Sequence, residues 1–111
     1  MSNPEEESNR LLLLACNDLS KTLTDRGSEY GSITKSFKKT AEAISIAIWG
    51  DVGTFSVFDT VKTQIAIKLS RLQTDPMHRD SWLDIAGYAI IAYVLCKIKQ
   101  DEKKKEVKDV T

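Results

Sequence analysis

Residues 68–91 read KLSRLQTDPMHRDSWLDIAGYAII, two helical patterns on either side of a short break, and this stretch decides the fold. Leading into it, Val57, Val61, Ile65, Leu69 and Leu72 recur at steps of four and three, the spacing of one helical face, from a start near Ser56. The break, 73–79, holds Asp75-Pro76, and a residue before proline is pushed out of helical geometry. A further helix then starts near Asp80 and runs to about Lys99. So short a connection turns the second helix back against the first. Strand signals are poor: VGTFSVF (52–58) alternates a little, but no partner strand of comparable quality exists.

Two more helices precede this pair. SNPEEE (2–7) is a helix start in which Asn3 caps, Pro4 suits the first helical position, and Glu5, Glu6 and Glu7 oppose the macrodipole. That helix is expected to run to about Thr24, with Leu12, Cys16, Leu19 and Leu23 on one face, and to break in DRGSEYGS (25–32), which holds two glycines. Ser32 is expected to cap the next helix, whose stripe is Ile33, Phe37, Ala41, Ile44 and Ile48. Trp49 and Gly50 close it before the turn GDVGT (50–54). The fold class is all-α: a four-helix bundle forming one domain over 1–100. A charged tail, 101–111, has no apolar stripe beyond Val107 and Val110 and is expected to be disordered.

The fourth helix is apolar around almost its whole circumference, from Trp82 through Ile85, Ile90, Ile91 and Val94 to Cys96. A helix apolar all round must be buried all round. A bundle this small leaves each helix a wet face, so the surplus predicts a subunit interface, most simply a two-fold homo-oligomer packing this helix on its mate. The alternative is a central helix wrapped by the other three.

The 111 residues suffice for a single modest core, and 41% apolar with 29% charged residues is ordinary for a globular chain. Lysine plus arginine equals aspartate plus glutamate at 16 each, so no overall field draws the chain to nucleic acid or an anionic membrane. Cys16 and Cys96 fall in apolar helical patterns and read as buried free thiols. No CxxC or Cys/His cluster occurs and His78 is the single histidine, which argues against a zinc site. MSNPEEESNR is acidic where a signal peptide is basic. The most apolar run, 85–98, has 14 residues where a spanning helix needs about 20, so it reads as a core helix and the location as cytoplasmic, with no membrane partner.

Within 68–91, Lys68, Arg71, Asp80, Asp84 and Tyr88 stand where a plain helical hairpin needs only apolar residues and caps. Lysine and arginine near a helix C-terminus complement the dipole, and Asp80 reads equally well as an N-cap. Asp84 is harder to place, because a carboxylate beside Trp82, Leu83 and Ile85 needs a cation or a donor to offset its desolvation. Lys68 or Arg71 on the preceding helix is the natural partner. Gly87 in mid-helix costs about 1 kcal/mol relative to alanine, which marks close packing or room for a ligand. Asp84 and Tyr88 are four apart and share a face. A charged pair with an aromatic suits a nucleotide, phosphate on the cations and base on the ring. A buried ion pair that merely orients two helices explains the same residues. Elsewhere, KSFKK (35–39) reads as a solvated face whose Lys and Phe touch phosphate and base only on a minority reading, and RGSEYGS lacks the strand and lysine of a P-loop.

Taken together, R-x-x-x-YG at Arg26, Tyr30 and Gly31, Trp49 about twenty residues on, K-x-x-R at Lys68 and Arg71, and D-S-x-x-D-x-A-G-Y-A from Asp80 resemble a family of small, uncharacterised phage and prophage helical proteins. The likeness spans Arg26 to Ala92, and that family looks distantly similar to the all-α, MazG-like nucleoside-triphosphate pyrophosphohydrolases. The resemblance implies an oligomeric helical bundle with nucleotide sites, working in a host cytoplasm. The departure is in the metal ligands. Those enzymes converge four carboxylates on Mg²⁺ from E-x-x-E and E-x-x-D pairs, whereas here Glu42, Asp59 and the pair Asp80 and Asp84 offer at most one pair.

Three expectations follow. The first is a phage-type binding protein without catalysis or cofactor, whose ligand-binding residues are Arg26, Tyr30, Lys68, Arg71, Asp80, Asp84 and Tyr88. It would hold a nucleotide or nucleotide-derived signal, one use being the sequestration of a host defence signal. The second is a Mg²⁺-dependent pyrophosphohydrolase with a reduced site at Asp80 and Asp84. The third is a protein-binding adaptor using the apolar faces of the fourth helix.

Overall fold

The computed structural model of the chain describes residues 3–30 and 33–110, the side chains of 26–30, 33 and 107–110 excepted. Four helices follow one another: α1 (Pro4–Tyr30), α2 (Ile33–Trp49), α3 (Val57–Thr74) and α4 (Arg79–Val110). The all-α bundle stands, and no strand occurs among the described residues.

Local chemistry accounts for most of the boundaries. The Asn3 carboxamide oxygen accepts the Glu5 N–H at 3.0 Å, and Glu5, Glu6 and Glu7 occupy the first turn of α1. α1 does not break at 25: it continues through Gly27 to Tyr30. One glycine costs a long helix only about 1 kcal/mol, and no proline follows to enforce the stop. Gly31 and Ser32, with the cap expected at Ser32, lie outside the described residues. α2 ends at Gly50, whose φ of +76° is left-handed, and the Gly50 N–H reaches the Ile46 carbonyl at 3.0 Å. α3 opens with a capping box. Ser56 Oγ accepts the Asp59 N–H at 3.0 Å and Asp59 Oδ2 accepts the Ser56 N–H at 2.9 Å.

The start of α4 corrects the sequence reading. Asp80 lies inside the first turn and does not cap it. His78 precedes the helix, its Nδ1 accepting the Ser81 N–H at 3.2 Å and lying 2.8 Å from Ser81 Oγ. Nor does α4 stop near Lys99. It runs on through the lysine-rich segment to Val110, since alternating lysines and acids are good helix formers.

The core is thin. Ala41, Val57, Val61, Ile91 and Leu95 form one buried cluster, with Phe37, Phe58, Ile65 and Tyr88 against it. Ser45, fully buried on α2, accepts the Phe55 N–H at 2.8 Å and so ties the 50–56 loop to the bundle. The inward line of α2 is therefore Phe37, Ala41 and Ser45; Ile48, expected inside, is 65% exposed, and Leu69 on α3 is also exposed. Cys16 and Cys96, expected to be buried, are free and exposed. α4 buries only one stripe, through Ser81, Gly87, Ile91 and Leu95. Over Arg79–Glu106 it is long and apolar enough to cross a membrane by length and composition, yet only 22% of that apolar window is buried, so it is not a core helix all round.

Candidate functional site

Where α1, α2 and α4 meet, their side chains leave a cavity of about 400 Å³. α4 supplies Leu83, Asp84, Gly87, Tyr88 and Ile91, successive turns of one face; α2 supplies Ser36 and Phe37; α1 supplies Leu19, Thr22 and Leu23. The walls are mostly apolar, with Thr22, Ser36, Asp84 and Tyr88 as the polar exceptions. α1 passes Gly87 at a distance that leaves room for a methyl group. A methyl placed on it would lie 3.5 Å from Leu19 Cδ1 and 3.6 Å from Leu23 Cδ2.

Asp84 sits between the cavity and α3. Its Oδ2 lies 3.0 Å from Lys68 Nζ, and both side chains are 21% exposed. A pair so far withdrawn from water holds its geometry better than a surface pair, because solvent screens it less. Lys68 is thus a cation that Asp84 pairs with. Tyr88, one turn further along α4, meets the Phe37 ring edge to face at 6.1 Å and 73°. Phe37 is the half-buried member of the KSFKK segment, whose lysines 35, 38 and 39 are exposed.

Of the seven residues singled out in the sequence, Asp84 and Tyr88 line the cavity, and Lys68 pairs with Asp84 from α3 without lining it. Arg71, in the last turn of α3, is exposed, and so is Asp80; neither lines the cavity. Arg26 and Tyr30 lie in the last turns of α1, and their side chains fall outside the described residues. Among the described residues, no three of His, Cys, Asp or Glu converge on a point that could hold a metal ion. Among the described residues, Asp80 and Asp84 thus have no third carboxylate beside them.

Sequence reasoning missed Thr22, Ser36 and the His78–Ser81 pair. The first two are ordinary polar positions on helices and carry no signal by themselves. His78 and Ser81 stand three apart at a helix start, the spacing at which a side-chain acceptor reaches a free N–H, and that signal was available.

No curated protein and no solved structure matches this chain. One family does, across residues 17–95, from within α1 to the last core residue of α4, so the whole cavity lies inside the match. The chain belongs to that family, described as Domain of unknown function (DUF6378).

Proposed function

We propose that the chain is a non-enzymatic binding protein that holds a nucleotide or nucleotide-derived molecule in the cavity between α1, α2 and α4. The observation that carries this reading is the coincidence of one carboxylate and one tyrosine, four residues apart, on the wall of a mostly apolar cavity of about 400 Å³. Ligand pockets run from about 300 to 1,000 Å³, apolar with a few placed polar groups, and this one falls near the small end. The base lies against Tyr88 and Phe37, and Asp84 accepts from a sugar hydroxyl or an exocyclic amine. Lys68, already 3.0 Å from Asp84, meets phosphate at the edge of this wall. Arg71 serves only the rim, because it is exposed. The resemblance to phage proteins suggests the use: sequestration of a host signal, which needs affinity and no turnover.

Calorimetric titration with a panel of nucleoside mono-, di- and triphosphates and cyclic nucleotides tests the reading. One panel member is expected to bind stoichiometrically per chain and to be recovered intact. Asp84→Asn and Tyr88→Leu should each weaken it by roughly tenfold or more, the loss of one buried hydrogen bond or one stacked ring. Unchanged binding in both variants, or no binding by any member, sinks the proposal. Pyrophosphate released in the presence of Mg²⁺ and abolished by Asp84→Ala would instead favour the MazG-like hydrolase.

A further inference from the structure

The chain exposes 8738 Å². A compact folded monomer of 12.4 kDa exposes about 6,100 Å² on the general mass–area relation, so roughly 2,600 Å² is left over. The radius of gyration says the same: 17.8 Å, where a compact chain of this length has about 13 Å. A standard stable interface buries about 800 Å² per partner. The surplus is several times that.

Much of the surplus apolar surface lies along α1 and α4. Leu19 and Leu23 meet Gly87, and Cys16 shares a groove with Ile90, so the two helices run antiparallel. Further along the same seam, the four leucines at 11–14 are 48–67% exposed. Successive residues step about 100° around a helix, so four of them cover nearly its whole circumference, and no side of α1 is covered there. On α4, Tyr93 is 72% exposed and lies about 120° round the helix from Gly87. The groove between Cys16, Leu19 and Ile90, about 250 Å³, is open on this face.

We infer that a second copy of this chain covers the α1/α4 face. Antiparallel packing puts the acidic start of α1, Glu5 to Glu7, at the same end as the lysines of late α4, Lys97, Lys99 and 103–105. Each copy therefore carries both signs at one end, and a two-fold axis running along the helices, which sets those ends side by side, pairs acid with lysine twice. The formal net charge of zero adds no general repulsion between copies. The mate also seals the groove that shares Leu19 and Leu23 with the ligand cavity, giving the cavity an outer wall. The inference stands on area and charge and does not need the ligand reading.

Sedimentation equilibrium of the full chain, with helical content followed by circular dichroism, tests it. The wild type is expected as a dimer at micromolar concentration, its melting temperature rising with protein concentration. Leu12→Asp and Tyr93→Asp, exposed in the single chain, should keep their helicity and weaken dimerisation by about 30-fold or more, the loss typical of a central interface residue. A wild-type monomer at 100-fold dilution series with a constant melting temperature overturns the inference. So does a folded variant that dimerises like the wild type, or a chain that stays monomeric in water and partitions into anionic vesicles. Should both variants unfold, the concentration dependence of the wild-type melting temperature decides alone.

Discussion

α3 and α1 both open on strong capping signals, and only one of them is packed. α3 starts with a reciprocal Ser56–Asp59 box and buries Val57, Thr60, Val61 and Leu72. α1 starts with Asn3, Pro4 and three glutamates, runs for 27 residues, and buries none of its described side chains fully. Capping and propensity decide whether a segment is helical, over a few residues. Burial is decided by what lies opposite, and α3 stands between α2 and α4 while α1 leans on α4 at Gly87. The gap left by that loose contact is the cavity. Stability therefore resides in the α2–α3–α4 side of the bundle, and the cavity proposed for binding lies where α1 fails to close it.

The largest effect that tests this contrast is in the core. Leu95, 2% exposed, should lose about 3 kcal/mol on Leu95→Ala, the usual transfer and cavity cost. Leu13, 67% exposed on α1, should lose less than about 0.5 kcal/mol on Leu13→Ala when the chain is dilute enough to be monomeric. Urea unfolding at matched low concentration measures both. A loss at Leu13 comparable to that at Leu95 would mean that α1 is held as firmly as the core.

The next effect is smaller and of opposite sign. Gly87→Ala adds a methyl at 3.5 Å and 3.6 Å from two leucine methyls, an ordinary van der Waals separation. It also removes the helix cost of glycine, so the chain should gain roughly 0.5–1 kcal/mol. Destabilisation in the same urea series would show that α1 and α4 approach more closely than this, and that the glycine is there for contact.

The parts legible in the sequence are those set by near neighbours. The number of helices, the box at Ser56, the stop at Gly50 and the need of Asp84 for a cation all follow from a few adjacent residues or from one misplaced charge. The parts that were not legible depend on distant partners. Gly27 does not break α1, because its cost is spread over a long helix. Cys16 and Cys96 carry the pattern of buried residues, yet no helix of the same chain covers them. Arg71 follows Lys68 by three residues, which turns it about 60° round the helix from the side that pairs with Asp84, and it is exposed. The apolar circumference of α4 was legible as a surplus; that α1 carries a matching one was hidden by its strong local helix signals.

The smallest expected effect concerns the cap of α3 and depends on pH. The Asp59 carboxyl is held below its ordinary value, first by the Ser56 backbone N–H that it accepts, then by the Ser56 hydroxyl, with Lys62 adding a little. A group whose pKa is depressed by folding contributes stability above its unfolded value, about 3.9 for aspartate, and loses that contribution as pH falls through the lower folded value. The wild type should therefore lose stability in acid partly through Asp59, and Asp59→Asn, which can still accept the N–H, should show a shallower decline. Ser56→Ala costs about 1 kcal/mol at neutral pH as a lost cap and moves the Asp59 titration upward without restoring it fully, because the backbone donor remains. Carboxyl chemical shifts followed through an acid titration report the Asp59 value directly. If Asp59 titrates at or above the ordinary aspartate range, the box is open in solution, and the most firmly anchored helix start of the molecule is no firmer than the start of α1.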